Sequence, residues 1–198
     1  MLRKAVTAAL FALVAASAGA TPLAGETREL HDWVIKARDH EGRPFAIVDK
    51  KNARMFVFDS AGRVQGTSTV LLGAAVGDDI APNVGAHAQQ GYVPFKERTT
   101  PAGRFASEPG INLSGEHVIW VDYASAFAIH RLRPGASHAA RQAKLATPDP
   151  SQHRASYGCV VVPVKFYEDV VQRWLGKSRT VVYVLPEQTS AREIFNSL

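Results

Sequence analysis

A single thiol and a histidine at the end of an apolar run are the residues of this 198-residue sequence best suited to covalent chemistry. Cys159 is the only cysteine; it follows Ser156-Tyr157-Gly158 and lies shortly before Pro163, where a helix is expected to open. A thiol is intrinsically more nucleophilic than a hydroxyl, but little of it is ionised at neutral pH, so it needs a base or a positive neighbour. Glycine ahead of it lets the backbone turn sharply and present successive N–H groups that can hold a developing oxyanion. The competing reading of the same residues is a glycine–cysteine pair buried in a strand as a small hydrophobe.

Seven histidines could supply the base. His130 stands out because it ends the run Phe127-Ala128-Ile129, where a polar side chain needs a partner. That partner is either the thiol, with His130 as proton acceptor, or a backbone group that it merely hydrogen-bonds. His153 is nearer to Cys159 in sequence but falls in a polar loop. His138 and His153 with Asp149 match no standard ligand spacing, so no metal and no cofactor is expected.

The elements that must position these residues are mostly strands. Residues 45–48, 55–58 and 68–72 form an antiparallel meander with turns at 50–53 and 60–62. Residues 73–92, rich in Gly, Asp, Pro and Asn, read as a long loop of the kind that often carries function. A turn at 100–105 enters a strand, 117–123 and 126–132 are further strands, and the second of these ends near His130. Residues 137–145 suggest a helix capped by Ser137 and stopped by Pro148-Asp149-Pro150. After the apolar, β-branched run 159–162, Pro163 opens a helix with Phe166, Val170, Val171 and Trp174 on one side. A last strand is expected over 179–185, with short helices at 27–37 and from Ser190. No repeat, low-complexity tract or linker divides the chain.

The composition, 46% hydrophobic and 21% charged, is that of one soluble globular domain. Residues 1–20 read as a secretory signal: Arg3 and Lys4, an apolar stretch, then Ala18-Gly19-Ala20 at a cleavage site that leaves Thr21 as the new N-terminus. The stretch is short for a bilayer span, and no later one is apolar enough, so no stable membrane insertion is expected. The expected location is the periplasm or cell envelope. The formal charge of +5 falls to near +3 without Arg3 and Lys4. Its cations are scattered, which argues against nucleic acid and would suit an anionic polymer such as a cell wall. A lone cysteine in an exported chain cannot close an internal disulfide, which leaves the buried-hydrophobe and reactive-thiol readings. Oligomeric state is not legible.

Three blocks taken together resemble a known family. Thr100-Pro101-x-Gly103-x-Phe105, the strand ending Ile129-His130, and Ser156-x-Gly158-Cys159-Val160 are similar in order and spacing to the L,D-transpeptidase catalytic domain, also called the YkuD domain. The resemblance spans about residues 45–185, with 21–44 as a lead-in and 186–198 as a tail. It implies a mostly β fold, an L,D-transpeptidase-like β-sandwich of short mixed strands with a few short α-helices. It implies a cysteine acyltransferase that cleaves the L-to-D bond of a peptidoglycan tetrapeptide stem and passes the acyl group to an amine, with carbapenems as acylating inhibitors. Carried over, Cys159 is the nucleophile and His130 the base. Ser156, Tyr157 and Gly158 shape the turn, with backbone N–H groups of Gly158 and Cys159 as oxyanion donors. Arg131 and Val161 fall at substrate-binding positions and depart from the pattern. The family often has glycine or serine where Arg131 stands, arginine or asparagine where Val161 stands, and histidine where Tyr157 stands. Two other functions remain open: a wall-binding module of the same fold without turnover, and a cysteine hydrolase that gives the acyl group to water.

Overall fold

The computed structural model describes residues 22–196. The signal peptide expected over residues 1–20 lies outside the described residues. Strand β10 (Thr180–Leu185) is apolar and buried along its whole length, so it occupies the middle of a sheet covered on both faces. On one side it pairs in parallel with β1 (Phe45–Asp49), followed by antiparallel β2 (Arg54–Phe58) and β3 (Val64–Thr69). On the other lie β5 (Gly103–Ile111), β6 (His117–Asp122) and β7 (Phe127–Arg131), antiparallel in turn, and then β9 (Val160–Val162), parallel to β7. The order across the eight strands is β3-β2-β1-β10-β5-β6-β7-β9. Short β4 (Leu72–Gly73) and β8 (Arg154–Ser156) form a separate parallel pair.

Strand β5 joins two halves of this sheet: Gly103 to Ser107 pair with β10, and Glu108 to Ile111 pair with β6. Both halves face one core. Ala46, Val48, Met55, Val57, Val182 and Val184 from the first half meet Ile119, Val121, Phe127, Ile129, Val160 and Val162 from the second. The expected sandwich is therefore built from one mixed sheet whose halves share a filling. The reverse face of β1, β2 and β10 buries Phe45, Ile47, Phe56, Phe58, Val181 and Tyr183 beneath helix α1 (Gly25–Ala37) and the C-terminal helix α6 (Ala191–Ile194). At roughly 1.5–3 kcal/mol per fully buried large apolar side chain, this two-sided packing dominates the stabilisation.

The segment after Pro163 is helical in three pieces: α4 (Val164–Phe166), a π-helical stretch (Tyr167–Val171) and α5 (Gln172–Leu175). Its fully buried positions are Tyr167, Val171 and Leu175, every fourth residue, a spacing that a locally widened turn brings into line. Of the stripe expected from the sequence, Val171 is fully buried, while Phe166, Val170 and Trp174 flank the core.

Three local expectations are corrected. The strand expected over 68–72 is split, because Leu71 leaves β2 and exchanges both backbone hydrogen bonds with Val161, at 2.8 and 2.9 Å. The long loop contains helix α2 (Val84–Gln89), packed so closely that a Cβ at Gly85 would lie 1.9 Å from the Ala124 carbonyl oxygen. Ser137 does precede helix α3 (His138–Ala146), but its side chain makes no capping bond; the His138 N–H is instead held by the Gly135 carbonyl.

Candidate active site

The two-residue period of strands decides which side chains face the site. In β7, Phe127 and Ile129 enter the core, so Ala128 and His130 point the other way. In β9, Val160 and Val162 enter the core, which turns Cys159 and Val161 outward. Parallel register sets His130 opposite Val161, leaving Cys159 as its diagonal neighbour on the same face. Both line a cavity of about 500 Å³, with Trp120, Arg133, Arg141 and Ser156 among the other walls.

His130 is 8% exposed. Its Nδ1 lies 2.8 Å from the Arg131 carbonyl oxygen. A carbonyl only accepts, so Nδ1 carries the proton and Nε2 keeps a free lone pair. Burial, reinforced by the charges of Arg133 and Arg141, holds this imidazole down to about 4, against the opposing pull of the Arg131 carbonyl and Glu116. Burial pushes the Cys159 thiol up, although backbone hydrogen bonding at Ala128, the charge of Arg133 and its own N–H pull the other way. The thiol donates weakly to the Ala126 carbonyl at 3.5 Å. The resting pair is thus a neutral thiol beside a neutral imidazole, and the proton has to move as the sulfur attacks.

The cysteine turn is held by side-chain hydroxyls. Ser156 Oγ donates to the Cys159 carbonyl at 2.6 Å and accepts from the Gly158 N–H at 3.1 Å. Thr100 Oγ1 donates to the Gly158 carbonyl and accepts from the Gly73 N–H, both at 2.8 Å. Gly158 has φ of 131°, and a Cβ there would meet the Thr99 carbonyl oxygen at 2.8 Å, so only glycine fits. The Gly158 N–H, expected to serve an oxyanion, is therefore committed to Ser156. Of the two expected donors, the Cys159 N–H is the one beside the thiol. Tyr157 is half-exposed, borders the cavity and stacks against the Arg98 guanidinium, 4.5 Å from its ring centre.

Behind the turn lies a buried charge cluster centred on Lys50, in a stretch whose sequence pattern is that of a turn. Lys50, 1% exposed, donates to the Gly77 carbonyl at 2.7 Å, Asp78 at 2.6 Å and the Thr100 carbonyl at 2.7 Å. Asp78 also accepts the N–H groups of Glu187 and Gln188, each at 2.9 Å. Glu187 pairs with Arg154, the first residue of β8. Burial alone would raise the Asp78 carboxyl, but Lys50 and those N–H groups outweigh it and hold it below the usual range. The cluster ties the Thr100 block, the loop after β4, the C-terminal segment and the strand entering the cysteine turn into one support.

The remaining sequence candidates are placed as follows. Arg131 turns to Glu116, 2.9 Å away, and does not line the cavity. Val161, 2% exposed, borders the cavity but packs mainly with Leu71, Leu132 and Leu145. His153 is buried outside the cavity lining, with its ring nitrogens 2.8 Å from the Val70 carbonyl and 3.1 Å from the Thr147 carbonyl. His138 bonds to the Arg133 carbonyl at 3.0 Å. Arg133 and Arg141, which no sequence signal singled out, line the cavity instead.

The chain is similar in structure to solved L,D-transpeptidases. The Enterococcus faecium L,D-transpeptidase matches at 17% identity and a TM-score of 0.39, over 72% of this chain and 50% of the other. An L,D-transpeptidase from Mycobacterium smegmatis matches at 17% identity and 0.40, over 72% and 58%. The helical cell shape determining protein Pgp2 from Campylobacter jejuni matches at 12% identity and 0.45, over 75% and 49%. The chain spans about half the length of the first solved structures it matches. No protein-family model matches the chain, and no curated protein sequence does. Among the described residues, no helix is long and apolar enough to cross a membrane.

Proposed function

We propose that this protein is an exported cysteine acyltransferase of the L,D-transpeptidase type, acting on the peptide stems of peptidoglycan in the periplasm or cell envelope. The observation that supports this reading is the convergence of Cys159 and neutral His130 on one face of β7 and β9, in one cavity, beside a glycine turn braced by Ser156 and Thr100. Residues 45–185 would form the catalytic domain.

In this reading, Cys159 Sγ attacks the carbonyl carbon of the L-to-D peptide bond while His130 Nε2 takes the thiol proton. The oxyanion forms beside the Cys159 N–H. Collapse of the tetrahedral adduct breaks the C–N bond, His130 returns its proton to the leaving amine, and a thioester remains. An acceptor amine then attacks the thioester, gives its proton to His130, and the thiolate leaves and is reprotonated. Water in place of the amine makes the same chemistry a hydrolysis.

Intact-mass measurement tests the reading. The chain beginning at Thr21 is incubated with a carbapenem and, separately, with a disaccharide-tetrapeptide. An adduct on the wild type that is absent from Cys159→Ala is expected. A folded wild type that acquires no adduct from either would remove the proposal. Muropeptide profiles then separate transfer, which yields new cross-links, from hydrolysis, which yields tripeptide stems.

A further inference from the structure

We propose that Arg133 and Arg141 form a carboxylate-binding subsite beside Cys159, and that a free carboxylate of the acyl donor docks there. The identity of that donor as a peptide stem rests on the function proposed above; the selection of an anion does not.

The cavity that holds His130 and Cys159 is lined by two guanidinium groups and by no acidic side chain. The nearby acid, Glu116, is shared: one oxygen lies 2.9 Å from Arg131 Nη2 and the other 2.7 Å from Arg133 Nε. One carboxylate therefore answers two cations. Arg141 has no carboxylate within ion-pair distance among the described residues; its Nη2 donates to the Arg133 carbonyl at 3.0 Å. Its Nε is buried without a hydrogen-bond partner. A buried donor left unpaired on a charged group is costly, and a bound anion would relieve it. The guanidinium fork matches a carboxylate edge to edge, which an ammonium does not.

The geometry also ties this subsite to the chemistry. Both guanidiniums lie near enough to His130 to oppose its protonation. A carboxylate seated on them offsets that field, so the substrate that fits best also makes the base stronger. Arg133 and Arg141 then act as specificity residues that tune His130, without touching the reacting bond.

The test compares alkylation of Cys159 by iodoacetate and by iodoacetamide, followed by intact mass. Both reagents form the same S–C bond and expel iodide, and the thiol gives up its proton, so the ratio of their rates cancels the intrinsic reactivity of the sulfur. The wild-type ratio is expected to fall about tenfold in Arg133→Gln/Arg141→Gln, the lower end of what a one-sign cleft contributes to on-rates. Arg133→Lys/Arg141→Lys, which keeps the charge, should retain most of the ratio. A ratio unchanged in the glutamine variant overturns the subsite. A second arm acylates the enzyme with three tetrapeptide stems: unmodified, amidated at the C-terminal carboxylate, and amidated at the side chain of the third residue. The amide that raises KM for the wild type, and no longer does so for the glutamine variant, identifies the docked carboxylate. If both amides match the unmodified stem, the subsite is overturned. If no stem acylates the enzyme at all, the proposed function fails, while the alkylation ratio still decides the subsite.

Discussion

Two charge clusters flank the cysteine turn, and they are built differently. The one behind it is closed and balanced: Lys50 and Arg154 face Asp78 and Glu187, and every member is enclosed by backbone groups that it also hydrogen-bonds. The one before it is open and unbalanced: Arg131 and Arg133 share Glu116, Arg141 has no carboxylate within ion-pair distance among the described residues, and two of the three arginines border the cavity. A closed, balanced cluster fixes geometry, since each charge is satisfied only while the surrounding loops stay in place. An open, unbalanced one has binding capacity left over. The difference separates support from recognition within one site.

The largest effect is expected from breaking the closed cluster. Lys50→Met keeps the side-chain volume but leaves Asp78 and Glu187 buried with Arg154 as their remaining cation. Removing one partner of a buried pair costs about 3–5 kcal/mol, read as a fall in the urea unfolding midpoint. Because the same ammonium holds the Thr100 carbonyl, the protein that remains folded should also undergo acylation of Cys159 more slowly. A midpoint equal to the wild type would mean that the cluster is not a support.

The contrast between the clusters also marks what the sequence could reveal. The apolar runs of β1, β2, β6, β7 and β10 are readable because alternation and β-branched side chains announce them. Cys159 and His130 are readable for the opposite reason: each is a reactive side chain set against an apolar strand, where its type is conspicuous. Lys50 is not readable. It stands in Lys50-Lys51-Asn52-Ala53, a stretch that looks like an exposed turn, and its partners Asp78 and Glu187 are brought to it only by the parallel pairing of β1 with β10 and the path of the loop after β4. Arg133 and Arg141 are hidden likewise. An arginine in a polar connection, as Arg133 is, or on a short polar helix, as Arg141 is, is ordinarily solvated, and only the fold of the α3 segment against the cavity distinguishes these two. The break between β3 and β4 is obscured because Val70 and Leu71 continue an apolar pattern while the backbone partner changes from Ala53, next to β2, for Val70 to Val161 for Leu71. Local pattern therefore specifies the sheet and singles out Cys159 and His130, and long-range packing specifies which side chains surround them.

A second, intermediate effect separates the clusters by pH. His130, beside the open cluster, has a folded-state value held down to about 4 from the usual 6.5. Between those values the unfolded chain binds the proton and the folded one does not, so stability is full above about pH 6.5 and is lost as pH falls through about 4. The loss amounts to about 3 kcal/mol for a shift of that size. Asp78, in the closed cluster, is also depressed, but from the ordinary carboxylate range, so its contribution is present above that range and is lost at still lower pH. His130→Asn should flatten the pH dependence of the unfolding midpoint between pH 6.5 and 4 and leave the steeper loss at lower pH in place. If the slope in the upper window survives the substitution, His130 is not the group responsible. In the wild type, the acid limb of Cys159 alkylation should likewise lie near pH 4, where the base becomes protonated.

The smallest effect on stability should come from the open cluster, and it sharpens the comparison because its functional sign is reversed. Glu116 is paired with two partly exposed arginines, so Glu116→Gln should cost less than about 1 kcal/mol, as for other solvent-screened pairs. The same change frees Arg133 from its only carboxylate among the described residues and leaves three cations without an acid. Preference for iodoacetate over iodoacetamide at Cys159 should therefore rise above the wild type, opposite to the fall expected from Arg133→Gln. Removing Glu116 also withdraws a charge that favours protonated His130 while leaving Arg133 and Arg141 in place, so the acid limb of alkylation should move further down. A Glu116→Gln variant with lower anion preference, or with its limb shifted upward, would mean that Glu116 positions the arginines rather than neutralising them. The open cluster would then be a support, like the closed one.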